Sequence, residues 1–216
     1  FCFMIYDIDI AKQLSKYLLQ INAIILQPDK PFKWAAGWNS PIYCDNRKTL
    51  SHPKIRSYIR KNLSSLIHSK YKDIDVIAGV ATAGIPHGAL IADEMNLPFI
   101  YVRSQEKSHG KQNKIEGEVI KDQNVVLVED LISSGKSSID AAITLRNHGL
   151  KVKAITSIFT YGFDAAVDNF KKNNCNFISL CDYNTMIIQA LKDNYITEDQ
   201  LPILEKWRSN PSIWKK

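Results

Sequence analysis

The residues best suited to chemistry in this sequence are two neighbouring carboxylates, Glu129 and Asp130. They follow Val125 to Val128, a run of apolar residues that predicts a strand buried on both faces of a sheet. A serine-rich turn from Ser133 to Ser138 comes next, and a helical pattern starts at Ile139. Serine hydroxyls and the free N–H groups of a helix N-terminus bind anions. Because carboxylates also accept hydrogen bonds from sugar hydroxyls, this stretch predicts a site for a sugar phosphate.

Two other interpretations of this stretch stay open on sequence alone. The run Gly135-Lys136-Ser137 is similar to the end of the G-x-x-x-x-G-K-[ST] loop that binds nucleoside triphosphates, but Asp130 stands where the first glycine belongs. A carboxylate there would repel phosphate. An ordinary strand-to-helix turn capped by serine would explain the serines. It would not explain two adjacent acids at the end of a buried strand, where an unpartnered charge is costly.

The segment from Phe32 to Arg47 is irregular and rich in aromatic residues, with the sequence F-K-W-A-A-G-W-N-S-P-I-Y-C-D-N-R. One interpretation is a β-hairpin whose aromatic side chains belong to the core. The other is a cover that closes over a flat ring, using Tyr43 and neighbouring backbone groups. The sequence alone does not decide between them.

The stretch from Arg103 to Gly117, which we call the lid, has no hydrophobic period and a single aliphatic residue, Ile115. Loops of this length inside compact domains are usually functional or disordered. Its basic residues are Arg103, Lys107, His109, Lys111 and Lys114. The lid is either a solvated mobile loop or a cover that brings cations to a polyanion and excludes water, and the two descriptions are compatible.

A further turn of small residues, Ala81 to Gly84, follows the predicted strand from Asp75 to Val80. Small side chains allow the backbone to approach a ligand closely, and Pro86 suits the first turn of the helix that follows. Taken alone, it is a routine strand-to-helix turn.

Elements of the two types alternate along the chain, which predicts an α/β fold with a parallel sheet whose site lies at the carboxyl ends of the strands. The predicted helices are Ile8 to Leu19, Pro53 to Ser69, Pro86 to Glu94, Ile139 to His148, Asp164 to Phe170, Tyr183 to Leu191 and Glu198 to Trp207. The predicted strands are Asp75 to Val80, Leu97 to Val102, Val125 to Val128, Val152 to Thr160 and Phe177 to Leu180, with Ala23 to Leu26 as a strand or turn.

Composition favours a single cytoplasmic domain. The chain has 216 residues, 45% hydrophobic content, a net charge of +6 and a pI near 9.0. The lysines are scattered, without a basic helix or an aromatic-basic motif, so we expect small anionic ligands and no nucleic acid. Cys2, Cys44, Cys175 and Cys181 show neither metal spacing nor C-x-x-C, which favours reduced thiols. No apolar run approaches the roughly 20 residues of a membrane span, so we expect no membrane partner.

Two motifs resemble a known family. The run E-D-L-I-S-S-G-K-S, from Glu129 to Ser137, resembles the phosphoribosyl-pyrophosphate (PRPP) motif of type I phosphoribosyltransferases. The segment from Phe32 to Arg47 is similar to the S-G-x-x-S-P-x-Y-x-D-x-R pattern of orotate phosphoribosyltransferases, with Ala36 in place of the first serine. The matching positions are Gly37, Ser40, Pro41, Tyr43, Asp45 and Arg47. From end to end, the chain resembles the bacterial orotate phosphoribosyltransferases.

The resemblance implies the type I phosphoribosyltransferase fold, a central, mostly parallel sheet flanked by helices, with an N-terminal hood and a flexible catalytic loop. The chain is then one domain, with a hood of approximately residues 1–50 and a core of approximately residues 51–216. The implied reaction is the Mg²⁺-dependent transfer of ribose 5-phosphate from PRPP to orotate, giving orotidine 5′-monophosphate and pyrophosphate in pyrimidine biosynthesis. The implied assembly is a homodimer in which each lid reaches the site of the neighbouring subunit.

The resemblance also implies roles for individual residues. The expected PRPP-binding residues are Arg103, Lys107, His109, Glu129, Asp130, Leu131, Ile132, Ser133, Ser134, Gly135, Lys136 and Ser137. The expected catalytic residues are Lys107, His109 and Asp130, and the expected orotate-binding residues are Ser133 and Tyr43. Ala81 to Gly84 is similar to the family's pyrophosphate-binding loop. No dedicated protein cage is expected for Mg²⁺, because this ion keeps waters and binds largely through substrate oxygens.

Some positions depart from the family pattern. Lys136 stands where the family has a small residue, and Ala35 and Ser104 stand where one branch has ligand-contacting lysines. That branch also carries an orotate-contacting arginine near Tyr161, and no arginine stands there in this sequence. The sequence therefore predicts no residue for the orotate carboxylate. A phosphoribosyltransferase for a purine or uracil, and a regulator that binds nucleic acid, are the rival hypotheses.

Overall fold

The structure is a computed structural model that describes residues 5–34, 37–104 and 114–214. Its helices are α1 (Ile8–Gln20), α2 (Pro53–Lys70), α3 (Gly84–Met95), α4 (Lys136–Asn147), α5 (Asp164–Lys172), α6 (Tyr183–Lys192) and α7 (Leu201–Ser209), with a 3₁₀ helix at Asn46–Ser51. All seven predicted helices are therefore present. Among the described residues, no helix combines the length and the apolar character that crossing a bilayer requires.

Three helices begin at other residues than predicted. Helix α3 starts at Gly84 instead of Pro86. Helix α4 starts at Lys136 instead of Ile139, because Gly135 turns the chain with a positive φ and so brings the last serines of the turn into the helix. Helix α7 starts at Leu201 instead of Glu198. Before it, the Thr197 hydroxyl donates to Asp199 and the Thr197 N–H donates to Gln200. These local hydrogen bonds hold the segment in a turn.

The strands of the central sheet are β5 (Val76–Val80), β6 (Phe99–Val102), β7 (Ile115–Glu116), β8 (Asn124–Ile132), β9 (Lys151–Thr160) and β10 (Phe177–Asp182). Their order is β10-β9-β8-β5-β6-β7, and every pairing is parallel except that of β6 with β7. Strand β8 is longer than the predicted Val125 to Val128. It stays paired with β9 as far as Ile132, so Glu129 and Asp130 lie within the strand instead of after it.

The core lies on both faces of this sheet, as the apolar run in β8 predicts. Val126 and Val128 pack in a cluster with α1, α2, α3 and α6, while Val125 and Leu127 pack on the other face with α4. This alternation follows from the two-residue period of a strand. It also sends the side chains of consecutive residues at the end of β8 to opposite faces.

Four short strands form the part of the hood nearest the sheet, namely β1 (Ile24–Leu26), β2 (Phe32–Lys33), β3 (Asn39–Ser40) and β4 (Ile42–Cys44). Strand β1 pairs with β4 and β2 pairs with β3, both antiparallel. The Trp207 indole N–H on α7 donates to the Asn39 carbonyl at 3.2 Å. Helix α1, although within the first 50 residues, packs against α6 and β10, so it belongs to the layer that covers the sheet.

Both edges of the sheet carry an additional short pairing. At one edge, β7 pairs with β6, and its residues Ile115 and Glu116 belong to the stretch predicted to lack regular structure. Ile115, the single aliphatic residue of the lid, is 2% exposed, and its burial explains why this end of the lid is ordered as a strand. At the other edge, Ile5 bridges to Ser179 of β10, and the Tyr6 N–H donates to the Ser179 carbonyl at 3.0 Å.

Candidate active site

Three neighbouring cavities lie at the carboxyl ends of the sheet strands, and two of them are also lined by residues of the hood. The aromatic cavity, of about 490 Å³, is lined by Phe32, Lys33, Trp34, Tyr43, Cys44, Leu131, Ser133 and Tyr161. The acid cavity, of about 330 Å³, is lined by Cys44, Asp45, Arg47, Ala81, Thr82, Ala83, Glu129, Asp130, Leu131 and Ser137. The cation cavity, of about 520 Å³, is lined by Val80, Ala81, Val102, Arg103, Ser104, Lys114, Ser134, Lys136, Ser137, Asp140, Ala141 and Thr144. The acid cavity shares wall residues with each of the other two and so lies between them.

The two carboxylates of the acid cavity are held differently. Glu129 is 5% exposed and lies on the α4 face of the sheet, where the hydroxyls of Ser137 and Ser138 donate to its Oε2 at 3.3 and 3.2 Å. Asp130 lies on the hood face, and the Asn46 side-chain amide donates to its backbone carbonyl at 2.8 Å. The buried Asn46 thereby ties the hood to the end of β8. The end of one strand thus presents two carboxylates at different angles to the same cavity.

Burial disfavours the charge on both acids. The pKa of Glu129 is raised well above its usual value, first by burial and then by the neighbouring Asp130 charge. Burial also raises the pKa of Asp130, while its hydrogen bonds and the Arg47 charge act in the opposite direction. Such a pair accommodates hydroxyl groups well, because a carboxylate with unused lone pairs gains charge-assisted hydrogen bonds when a sugar enters.

The serine-rich turn forms the phosphate side of the site. Gly135 precedes α4 with φ of +77°, and a Cβ there would clash with the Phe170 ring, so this tight turn requires glycine. The N–H groups of Ser137 and Ser138 in the first turn of α4 have no hydrogen-bond partner among the described residues. Free N–H groups beside Lys136 and Arg103 make this end of the cation cavity suited to a phosphate.

The turn after β5, residues Ala81 to Ala83, forms a wall of the acid cavity. The Ala81–Thr82 peptide bond is cis. The N–H groups of Thr82 and Ala83 have no hydrogen-bond partner among the described residues, whereas the Ala81 N–H donates to the Val102 carbonyl. This wall therefore offers backbone donors and no charge, which suits an anionic group.

The aromatic cavity contains residues that sequence reasoning missed. Trp34 and Tyr161 lie 5.4 Å apart between ring centroids, and each is also within 5.6 Å of the buried Trp207 ring. Phe32, Lys33, Trp34 and Tyr161 had no predicted role in the site. The irregular aromatic run in the hood was a usable signal for the first three. For Tyr161, the signal was its place directly after β9.

Most of the predicted site residues that the structure describes do meet at these cavities. Tyr43 and Ser133 line the aromatic cavity, Glu129 and Asp130 the acid cavity, Leu131 both, Ser137 the acid and cation cavities, and Arg103, Ser134 and Lys136 the cation cavity. Gly135 shapes the turn. Ile132 is not brought to a cavity, since its side chain is fully buried in the core and its carbonyl accepts from Thr160 and Tyr161. Lys107 and His109 lie outside the described residues.

The acid pair is the part of the described site whose chemistry would suit a metal ion. Within the described ranges, no group of three or more His, Cys, Asp or Glu side chains is placed to hold a metal ion. One or two carboxylates beside a phosphate site are nevertheless a suitable donor set for Mg²⁺, which takes most of its ligands from substrate oxygens and water.

Comparison with known proteins identifies the family. A model of the phosphoribosyl transferase domain matches residues 47–189. The orotate phosphoribosyltransferase of Cytophaga hutchinsonii is 53% identical over 205 residues, which are 95% of this chain and 98% of the relative. That of Phocaeicola vulgatus is 48% identical over 204 residues, 94% of this chain and 96% of the relative. The crystal structure of orotate phosphoribosyltransferase from Aeropyrum pernix superposes with a TM-score of 0.72 at 25% identity, covering 85% of this chain and 99% of that one. The chain therefore belongs to the orotate phosphoribosyltransferase family.

Proposed function

We propose that this enzyme transfers ribose 5-phosphate from PRPP to N1 of orotate, giving orotidine 5′-monophosphate and pyrophosphate in pyrimidine biosynthesis. The observation that carries the proposal is the order of the three cavities. The acid pair for the ribose lies between an aromatic cavity for the base and a serine-rich turn for the phosphate. The family relatives, whose names state this substrate, support the same conclusion.

The aromatic cavity suits orotate in both shape and charge. Trp34, Tyr43 and Tyr161 offer ring faces and edges to a flat base. Lys33 is the one cation among the described residues that line this cavity, and it provides a counter-charge for a ring that carries a carboxylate. This lysine offers an answer to the carboxylate recognition that the sequence analysis left open.

The chemistry follows from the charges that develop at the sugar. As the bond between C1 of the ribose and the pyrophosphate oxygen breaks, C1 acquires oxocarbenium character, and the Glu129 and Asp130 charges stabilise it. The new bond forms between N1 of orotate and C1. Asp130, on the hood face next to the aromatic cavity, is our candidate acceptor for the N1 proton. The pyrophosphate leaves with the bonding electron pair.

Two further parts of the proposal concern the leaving group. Mg²⁺, bound through substrate oxygens with Glu129 and Asp130 as the available protein carboxylates, would neutralise part of the pyrophosphate charge. Lys107 and His109 of the lid would add cations from the neighbouring subunit of a homodimer. The Arg103 N–H donates to the Lys114 carbonyl at 2.8 Å and so ties the start of the lid to its later part, which supports this role. We further propose, on the basis of the sequence alone, that the enzyme acts in the cytoplasm.

The first prediction concerns the substrate. With PRPP and Mg²⁺, the purified enzyme should consume orotate, measured by the loss of its ultraviolet absorbance, and should release pyrophosphate in equal amount. The control reactions replace orotate by hypoxanthine or uracil. Product from either of these bases, with none from orotate, would overturn the assignment of the base while leaving the PRPP site in place.

A further inference from the structure

Arg47 is a charged residue of the acid cavity to which neither the sequence analysis nor the reaction above gives a role. It follows β4 and lies in the first turn of the 3₁₀ helix Asn46–Ser51. Its side chain is 64% exposed, and it lines the cavity together with Asp130 and the turn Ala81 to Ala83. It is the one basic residue among the described residues that line this cavity.

The arginine is oriented by its neighbour. The Arg47 Nε donates to Asp45 Oδ1 at 2.6 Å, and Asp45 also accepts from the Arg47 backbone N–H at 3.3 Å. The Asp45 carboxylate therefore both holds the Arg47 side chain and caps the start of the 3₁₀ helix. For the two Nη atoms, no hydrogen-bond partner is found among the described residues. One edge of the guanidinium is therefore fixed, and the other is available to a ligand.

The position of a polyanion in this cavity is restricted. The Glu129 and Asp130 carboxylates repel any phosphate oxygen that no cation bridges to them, whereas the unpaired N–H groups of Thr82 and Ala83 in the same cavity attract one. Arg47 lies at the same cavity and can donate two parallel hydrogen bonds to phosphate oxygens. Together, the backbone donors and the guanidinium that line this cavity can bind the two phosphates of a pyrophosphate group.

We propose that Arg47, positioned by Asp45, binds the pyrophosphate group of the sugar donor and holds it as it departs. This inference rests on the proposed function. It adds a fixed cation from the hood of the same chain to the cations that the lid would bring. The site would then retain affinity for free pyrophosphate without orotate.

The test compares neighbouring cations. Pyrophosphate with Mg²⁺ is titrated into the full-length enzyme by calorimetry, using Arg47→Gln and, as the matched control, Lys48→Gln. The Lys48 ammonium donates to the Asn22 carbonyl and lines none of the three cavities. Arg47→Gln should weaken pyrophosphate binding by about tenfold or more, because it removes charge-assisted hydrogen bonds. Lys48→Gln should bind as the wild type does. Thermal melts of both variants should match the wild type, since both side chains are exposed.

Two more measurements separate this role from others. Arg47→Gln should raise the KM for PRPP and leave that for orotate unchanged, and Asp45→Asn should produce a smaller loss of pyrophosphate affinity, since Arg47 keeps its charge but loses its support. Unchanged pyrophosphate affinity in Arg47→Gln, or a rise confined to the KM for orotate, would overturn the inference. The calorimetry uses pyrophosphate without orotate or any other nucleobase. Its result can therefore be interpreted even if the assignment of orotate as the substrate is wrong.

Discussion

At the scale of single residues, Glu129 illustrates the conflict between folding and binding. Folding removes this carboxyl group from water and leaves it with two serine hydroxyls and the Asp130 N–H as donors. Its raised pKa means that the native state binds the Glu129 proton more tightly than the unfolded state does. Above the unfolded pKa, the charge of Glu129 therefore lowers the stability of the native protein, and this loss grows until the pH passes the folded pKa.

The second prediction follows from this sign. Glu129→Gln should raise the free energy of unfolding near pH 7.5, and the gain should disappear as the pH falls to about 4. Urea titrations at the two pH values measure it, with the exposed Glu118→Gln as a control that should show no such difference. PRPP affinity should fall in the same variant. A Glu129→Gln protein that is less stable at both pH values would contradict the argument.

The residues that sequence reasoning found and those that it missed differ in one physical respect. Glu129, Asp130 and the serine turn are contiguous, so strand burial and the rules for helix N-termini were enough to predict their chemistry. The aromatic cavity joins Trp34 of the hood to Tyr161 after β9, and their contact exists only once the hood folds onto the sheet. Nothing local in the sequence marks that pair.

At the scale of elements, the close approach of α3 to the sheet sets the position of the turn Ala81 to Ala83. A Cβ at Gly84 would collide with the Val128 carbonyl of β8, and one at Gly79 would lie 2.9 Å from the Gly84 carbonyl. Backbone atoms cannot move aside as side chains can. The absence of side chains at these glycines therefore determines where the N-terminus of α3, and the turn before it, lie relative to β8.

The third prediction tests this arrangement with two helical glycines. Gly84→Ala should destabilise the protein by about 1–3 kcal/mol, because α3 must shift away from β8. It should also weaken pyrophosphate binding, because the preceding turn moves with the helix. Gly88→Ala is the matched control. Its Cβ would meet the Phe99 ring at 2.7 Å and the backbone Gly79 Cα only at 3.3 Å, whereas a Cβ at Gly84 would lie 2.3 Å from a backbone carbonyl, so Gly88→Ala should cost less. Thermal melts and calorimetry provide both readings, and equal effects of the two substitutions would refute the idea.

The elements themselves were largely predictable, and the exceptions have identifiable causes. The seven helices and the parallel strands follow from hydrophobic period. Strand β8 runs beyond its apolar residues because pairing with β9 continues through the two acids, and pairing depends on the partner strand. Strand β7 is two residues long, too short for any periodic pattern to reveal.

At the scale of the whole molecule, the proposed sharing of lids makes the active unit larger than one chain. Asp130 belongs to the site of its own chain, whereas Lys107 would act in the neighbouring site. Each subunit of a dimer then needs its partner's lid. An interface with two-fold symmetry would make this exchange reciprocal, and each dimer would then hold two composite sites.

The fourth prediction is complementation. Lys107→Ala and Asp130→Ala should each have little activity alone. Mixed dimers of the two variants should regain activity, because one of their sites combines an intact Asp130 with an intact Lys107. Co-expression with two different tags, followed by tandem purification and a turnover assay, measures it. Inactive mixed dimers would show that each lid serves its own chain.

The contact between Ile5 and β10 has a consequence for how this enzyme is handled. Strand β10 ends the sheet, and the pairing at Ser179 occupies hydrogen-bonding groups there that would otherwise face solvent. An unpaired edge strand can pair with a strand of a second molecule. Removing residues 1–6 would leave this edge of β10 unpaired. We expect the shortened protein to precipitate more readily in storage while its turnover rate stays the same.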